Sequence, residues 1–295
     1  MAEFKFGFEE AWFRLIIKKL PDHPDLFLPR EVEKAQAVLR VGKLKVGAAK
    51  AWAQCAEIIE KKKNGFFLSP LGQLISRHDP DLEEDGIWCL IHYHLARSGS
   101  PAWFYSFYFN QFELDEFTRE QFEAKVRAHW DDLHEKPMTD SVFHKLIFPP
   151  FKQVFEGTRL GEAFGFWLAN EDGSYCRHPF NAIPVPKAIL AYALIDWGRQ
   201  NDRQSVHFEK LLEPGGIGRI FRLERETLDT LLVDIGEVYQ KQAGWISHTA
   251  GLNSVSITGI PQLAMVSAYY HELDGGEPAD ALSKGLKEVK ALFET

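Results

Sequence analysis

The sequence has 295 residues, of which 45% are hydrophobic and 26% charged, proportions that are ordinary for a soluble globular protein and leave room for about two domains. Its three cysteines lie far apart and form no CxxC pair, which argues against a disulfide framework or a cysteine zinc site and favours the reducing cytoplasm. The sequence contains no signal-peptide-like stretch and no apolar run of about 18 residues, so no membrane-spanning helix is predicted.

The charge of the chain is unevenly distributed. The formal net charge is −8, yet residues 1–80 alone have a balance of +4 and the remainder one of −12. The acidic total argues against a protein that coats nucleic acid non-specifically, whereas a basic N-terminal module on an acidic body is typical of a localised nucleic-acid interface.

Three helices are predicted in the first sixty residues from apolar residues that recur at helical spacing. They cover residues 8–19, Pro29 to about Leu39, and Lys43 to about Ile59. Prolines at positions 21 and 24 end the first of them, and Gly42 separates the second from the third.

A hairpin and a short helix follow. Asn64-Gly65 is a strong signal for a two-residue hairpin turn, and it stands between the lysines 61–63 and a predicted strand at 66–68. Ser69-Pro70 then opens a short helix to Leu74. The order helix, helix, turn, helix, hairpin, helix predicts a winged helix-turn-helix over residues 1–78, whose third helix normally enters the major groove of DNA.

The rest of the chain is predicted to be mainly helical. Helices are expected at about 79–97, 101–109, 117–133, 140–155, 188–197, 205–213 and 224–241. Glu171-Asp172-Gly173 predicts a hairpin turn, and residues 214–218 a turn before a strand-like segment at 219–223. The predicted fold is therefore mainly α, with the winged helix-turn-helix at 1–78, a helical middle region at 79–157, and an α-rich C-terminal domain with small hairpins at 158–295.

One face of the third helix carries the side chains expected to contact DNA. Lys43, Gly47, Lys50 and Gln54 share this face. Lysine suits phosphates or guanine edges and glutamine suits adenine, while the glycine permits close approach of a backbone. The other side of the helix is predicted to pack in the core through Leu44, Ala48, Cys55 and Ile59.

The predicted wing adds further positive charge, because lysines at its tip would meet the phosphates of the flanking groove. The complete set of candidate DNA-binding residues is Lys43, Lys45, Lys50, Gln54, Lys61, Lys62 and Lys63. The alternative interpretation is a solvated lysine face on a winged helix that serves protein contacts, for example dimerisation.

The densest carboxylate cluster lies at residues 79–85. Asp79, Asp81 and Glu83, close to His78, are candidate ligands for a divalent metal, Mg²⁺ or Mn²⁺, in phosphodiester cleavage. The structural alternative is that Asp79 caps a helix whose first turn holds the other carboxylates, where they favour the helix dipole. No metalloprotease, nucleophile-elbow or kinase signature is present, so the residues alone identify no catalytic site.

Several segments together resemble a known family. They are Phe6-Gly7-Phe8-Glu9 with Arg14 and Lys18-Lys19; Leu39–Lys43 with Ala51-Trp52-Ala53; Leu71-Gly72; Asp79–Glu83 followed by Trp88, Leu90, His92 and Leu95; Pro214-Gly215 with Gly218–Leu223; and Thr249–Leu252. The family is domain-of-unknown-function family 4007 (DUF4007), an SspB-like family of bacterial DNA phosphorothioation and anti-phage defence systems. Its members usually have Gly-His-Glu where this chain has Gly7-Phe8-Glu9, so a role of that histidine is absent here.

The resemblance implies nicking of double-stranded DNA so that sulfur can replace a non-bridging phosphate oxygen. It also implies partners in the same system, namely a cysteine desulfurase, an ATPase and a sulfurtransferase-like ATP pyrophosphatase, but it brings no set of catalytic residues. Two alternatives stand beside it. The first is a non-enzymatic DNA-binding subunit that recruits those partners, and the second is an autonomous winged-helix transcription regulator.

Overall fold

The computed structural model is mainly helical. It describes residues 4–133, 136–137, 139–177, 184–247 and 253–294. The segment Thr249–Leu252, which contributes to the family resemblance, lies outside the described residues. Among the described helices, none combines the length and apolar character that crossing a membrane requires.

The elements of the N-terminal third alternate helices with one hairpin. They are α1 (Glu10–Lys19), α2 (Val32–Leu39), α3 (Lys43–Cys55), β1 (Ile59–Lys62), β2 (Gly65–Leu68), α4 (Pro70–His78) and α5 (Asp85–Ala96).

The remaining elements are mostly helices with short strands between them. They are α6 (Trp103–Asn110), β3 (Glu116–Phe117), α7 (Arg119–Leu133), α8 (Asp140–Leu146), α9 (Phe148–Phe155), α10 (Arg159–Glu162), β4 (Leu168–Ala169), β5 (Tyr175–Cys176), α11 (Lys187–Gln200), β6 (Ser205–His207), α12 (Ile217–Ile220), α13 (Arg225–Val238), β7 (Trp245–Ser247), β8 (Ser254–Ser256), α14 (Leu263–Leu273) and α15 (Pro278–Glu294).

The chain forms two compact units, each made of two stretches of sequence. The first unit comprises Met1–Gly72 and His94–Ala182, and the second comprises Gln73–Tyr93 and Ile183–Thr295. This grouping places the segment after residue 94 with the N-terminal elements, whereas the sequence-based division has boundaries near residues 78 and 158.

The first unit has an aromatic core and two small sheets. Phe151 stacks on Phe122 and meets Tyr108 edge-on, with ring centroids 4.7 and 4.9 Å apart, arrangements that add to the burial of apolar area. β1 and β2 form one antiparallel hairpin. β5 lies between β3 and β4 in the second sheet, so the hairpin turn predicted at residues 171–173 is present between β4 and β5.

The second unit is built around α11, which buries residues on every side. A three-stranded antiparallel sheet has the order β6-β8-β7. α14 and α15 lie closely against each other, because a Cβ at Gly285 would come within 2.4 Å of the carbonyl oxygen of Ala264. Glycine at this position therefore allows the two helix backbones to approach.

The third helix ends earlier than predicted. α3 stops at Cys55 rather than near Ile59, because Glu57 has a left-handed φ of 56° and the Ile58 amide bonds back to the carbonyl of Ala53. A left-handed residue ends a right-handed helix. Ile58 and Ile59 are buried, and Ile59 begins β1 instead.

The helix predicted at 79–97 begins six residues later. Leu82 is buried with a left-handed φ of 54°, and the Asp79 carboxylate accepts hydrogen bonds from the backbone N–H groups of Glu83 and Glu84. These bonds form a turn, and α5 starts only at Asp85. Asp81, Glu83 and Glu84 therefore precede the helix, and only Asp85 lies in its first turn. The expectation that Asp79 caps a helix whose first turn holds these carboxylates is wrong.

Three other segments differ from expectation. The helix predicted at 140–155 is interrupted at Ile147, where α9 restarts with prolines in its first turn. The helix predicted at 205–213 begins as β6, because Val206 pairs with Val255 of β8, and continues as a 3-10 turn. The strand-like segment at 219–223 belongs to the short helix α12 and its end, since Ile217, Ile220 and Phe221 are buried at helical spacing.

Candidate nucleic-acid interface

Three residues separate α2 from α3, and the junction that they form determines where the first residues of α3 point. Arg40 ends α2 in the left-handed region with φ 55°, and Gly42 is extended before Lys43 starts the new helix. On the buried side, the Trp52 indole N–H donates to the carbonyl of Phe6 at 2.8 Å. This anchored side leaves the face of Lys43, Gly47, Lys50 and Gln54 accessible, since none of the four is buried.

Lys45 is held within the molecule. Its ammonium group lies 2.6 Å from the Glu9 carboxylate and 5.6 Å from the centroid of the Trp12 ring. Both partners belong to the segment around α1, so Lys45 is directed towards that helix. Its positive charge is therefore partly neutralised.

Lys50 lies beside the hairpin. Its ammonium group is 5.8 Å from the ring centroid of Phe66 on β2, a distance compatible with a cation–π contact. Gln54, one turn further on, is half-buried. The C-terminal half of the α3 face is therefore adjacent to β2.

The hairpin brings its three lysines to one end. Lys62 pairs with Gly65 across the strands, so the two-residue turn consists of Lys63 and Asn64. Lys61 and Lys63 are exposed, while Lys62 forms an ion pair with Glu60 at 3.0 Å.

Gly65 is required by a close approach to the backbone of Pro24. A Cβ at Gly65 would lie 2.3 Å from the Pro24 carbonyl oxygen, and that oxygen also accepts the Phe66 N–H at 2.8 Å. The hairpin is therefore fixed against the loop that follows α1, which gives its lysines a defined position.

On α3, the environment of Leu44 differs from the sequence-based prediction, and the environment of Gly47 adds to it. Leu44, predicted to pack in the core, is 73% exposed. A Cβ placed on Gly47 would find no atom within 4 Å. Internal packing thus gives no reason for a glycine that costs a helix about 1 kcal/mol relative to alanine.

Lys43, Lys61 and Lys63 are the lysines of this set with ammonium groups open to an external ligand. Within the part of the chain that the structure describes, no ion pair engages any of the three. Together with Lys50 they form a basic surface on α3 and the hairpin, which we call the α3–hairpin surface. Residues of these two elements are brought together only by folding.

The candidate catalytic carboxylates have different environments. Asp79 is buried, and its two oxygens accept the N–H groups of Glu83 and Glu84 at 2.8 and 3.1 Å. Asp81 and Glu83 are exposed. Among the described residues, no group of three or more His, Cys, Asp or Glu side chains has an arrangement that could hold a metal ion.

A polar cluster in the second unit was not predicted from the sequence. Glu288 on α15 accepts hydrogen bonds from Ser267, from Arg77 and from the His78 ring at 3.1 Å, and His78 stacks on Tyr270. Burial raises the pKa of Glu288, but these hydrogen bonds outweigh it and hold the pKa below its ordinary value. The cluster joins three helices that are far apart in sequence, which is why no local pattern revealed it.

Comparison with known proteins agrees with the family resemblance. A family model described as "Protein of unknown function (DUF4007)" matches residues 5–147 and 169–270. No curated protein matches the sequence. Two solved structures share the fold: a magnesium ion-bound SspB crystal structure, at 18% identity and a TM-score of 0.74, and an SspB crystal structure, at 19% and 0.73. Each comparison covers 97% of this chain and 96% of the other.

Proposed function

The chain belongs to the DUF4007 family, and we propose that it is a double-stranded-DNA-binding protein of a DNA phosphorothioation and phage-defence system. The observation that carries the DNA-binding proposal is the α3–hairpin surface, where Lys43, Lys50, Lys61 and Lys63 accompany an exposed helix face. The proposal that the protein belongs to a phosphorothioation system is supported by the fold that it shares with SspB structures.

In this proposal, α1, α2 and α3 with the β1–β2 hairpin act as a winged helix-turn-helix. The N-terminal turn of α3 enters the major groove, as in other proteins of this architecture. Gly47 lets the helix approach the sugar-phosphate backbone or base edges without a side chain in between. Lys43 and Lys50 contact phosphates or guanine edges, and Gln54 an adenine edge.

The hairpin supplies contacts that do not depend on DNA sequence. Lys61 and Lys63 meet phosphates of the flanking groove and release counterions. Lys45 and Lys62 contribute less, because Glu9 and Glu60 already neutralise part of their charge. Phosphate contacts of this kind fix register and orientation, whereas base contacts determine sequence preference.

The experiment is a salt titration of binding to linear duplex DNA. The variant Lys43→Ala/Lys50→Ala/Lys61→Ala/Lys63→Ala should lower affinity at every salt concentration. It should also reduce the slope of log K against log salt by about 0.9 for each phosphate that is no longer neutralised. Lys125→Ala, at an exposed lysine on α7 outside this surface, is the control for removing one positive charge elsewhere on the protein. Unchanged affinity and slope in the quadruple variant would instead favour a protein-contact role for this surface.

DNA nicking is a second candidate function, favoured by the fold that the chain shares with the magnesium ion-bound SspB structure. The carboxylates Asp79, Asp81 and Glu83 do not fit a ready-made magnesium site, because Asp79 is occupied by backbone N–H groups. The test is incubation with supercoiled plasmid, with and without Mg²⁺ or Mn²⁺. Open-circle product that disappears with a chelator supports a nickase, and activity retained in the Asp79→Ala/Asp81→Ala/Glu83→Ala variant excludes these carboxylates.

DNA binding without nicking would identify a recruiting subunit. Its partners in this proposal are the cysteine desulfurase, the ATPase and the sulfurtransferase-like ATP pyrophosphatase of the same system, which co-purification with each protein would test. Tight binding to a single palindromic operator, with no affinity for these partners, would identify a transcription regulator instead.

A further inference from the structure

The second unit contains a small cavity at the C-terminal end of α11. It has a volume of about 230 Å³ and lies between that end of α11 and the segment joining β8 to α14. Its apolar wall is formed by Ile195, Ile257 and Ile260, of which the first two are buried. We call it the α11 pocket.

Polar side chains without internal partners surround this apolar wall. The Thr258 hydroxyl oxygen is buried and has no hydrogen-bond partner among the described residues. The side chains of Arg203, Gln204 and Gln262, which also line the pocket, form no hydrogen bond or ion pair with the residues that the structure describes. A buried hydroxyl left unpaired costs about 1–3 kcal/mol, so a ligand that supplied its partner would be favoured.

The charges at the rim limit what the ligand can carry. Arg199 forms an ion pair with Asp196 at 2.8 Å, which leaves Arg203 as the available cation among the described residues of the rim. Asp202 lies beside it with a negative charge. One available guanidinium next to one carboxylate suits a single phosphate group and disfavours a polyphosphate.

We propose that the α11 pocket binds one nucleotide unit with a single phosphate. The base lies against the apolar wall, and its edge meets the Thr258 hydroxyl and the Gln204 and Gln262 amides, groups that both donate and accept hydrogen bonds. Arg203 contacts the phosphate. The volume is below the range of about 300–1,000 Å³ typical of pockets for complete cofactors, which matches one base rather than a dinucleotide.

Two kinds of ligand contain such a nucleotide unit: a free mononucleotide, and a nucleic-acid single strand that places one of its nucleotides in the pocket. The first measurement is calorimetric titration of the full chain with the four deoxynucleoside 5′-monophosphates, the matching nucleosides and inorganic phosphate. At least one monophosphate should bind more tightly than both its nucleoside and inorganic phosphate. The quadruple lysine variant of the α3–hairpin surface should bind it equally well, so failure of the DNA-binding proposal leaves this result interpretable.

Three variants and one control localise the binding. Arg203→Gln should weaken it about tenfold, the loss expected for one charge-assisted hydrogen bond. Thr258→Val should weaken it while leaving the thermal unfolding midpoint unchanged or higher. Gly259→Phe should weaken it, because Gly259 lines the pocket and a Cβ at this position meets no neighbouring atom, so the fold should accept the larger side chain. Lys284→Ala, an exposed lysine on α15, should bind normally.

The two sources are separated in the quadruple lysine variant. Displacement of the mononucleotide by a short single-stranded oligonucleotide at lower concentration than by the monomer itself assigns the pocket to a strand, and the reverse order assigns it to a free nucleotide. Absence of binding by all four monophosphates at millimolar concentration overturns the proposal. So does binding that neither Arg203→Gln nor Gly259→Phe weakens in folded protein.

Discussion

The Lys45 ammonium group lies 2.6 Å from the Glu9 carboxylate, so one lysine of the predicted recognition helix is already paired inside the protein. The pair is partly exposed at both ends. An ion pair of this kind contributes little to stability, but it lowers the positive charge next to the α3 face.

Removing that carboxylate should therefore strengthen DNA binding. Glu9→Gln frees Lys45 on α3 and removes a negative charge that lies beside this helix. We expect higher affinity for duplex DNA and a salt slope steeper by up to about 0.9. Glu33→Gln on α2 is a charge-matched control that should change neither quantity. Equal affinity in Glu9→Gln and the wild type would mean that DNA does not approach this end of α3.

Substitutions at Gly47 should affect the stability of the protein and its affinity for DNA in different ways. Gly47→Ala should stabilise the protein by up to about 1 kcal/mol, because alanine favours a helix and its Cβ meets no atom. A bulky helix former such as Gly47→Gln should also be tolerated by the fold but should lower DNA affinity by obstructing close approach. Chemical denaturation and duplex binding measure the two effects, and a Gly47→Gln variant with full affinity would contradict the proposed contact.

We expect Asp79 to stabilise the fold and not to take part in DNA nicking. Asp79→Ala leaves the part-buried N–H groups of Glu83 and Glu84 without their acceptor, and losing a side-chain cap of this kind costs about 1 kcal/mol. Urea unfolding should show a clear decrease, whereas Asp81→Ala, at an exposed position, should change little. A normally stable Asp79→Ala protein that loses nicking activity would instead support a catalytic carboxylate.

His92 should make stability depend on pH. Burial lowers its pKa to about 3, although the hydrogen bond to the Ile220 carbonyl opposes the shift. The unfolded chain takes up a proton below its ordinary pKa of 6.5, while the folded chain does not. Stability should therefore fall between pH 6.5 and about 3, by up to about 1.4 kcal/mol for each pH unit.

The variant His92→Gln isolates this effect. Glutamine can donate to the same carbonyl but does not titrate, so the difference in unfolding free energy between wild type and variant should shrink as the pH is lowered from 7 to 5. A constant difference would show that folding leaves the pKa of His92 at its ordinary value.

Local patterns in the sequence determined most of the secondary structure. Helical periodicity located α1, α2 and α13, and Asn64-Gly65 located the hairpin, because these signals depend on neighbours a few residues away. They also placed Lys43, Lys50 and Lys61 on the elements where the structure has them. The family was recognisable because its motifs are short segments.

The tertiary structure decided what each of these residues can do. Leu44 faces solvent and Lys45 meets Glu9 because α3 is rotated to bury Trp52, an orientation set by packing against distant residues. Asp79 caps a turn because buried Leu82 bends the chain, and Val206 forms a strand because Val255 lies beside it. Contacts between residues far apart in sequence set these outcomes, and the periodicity of a single segment does not contain them.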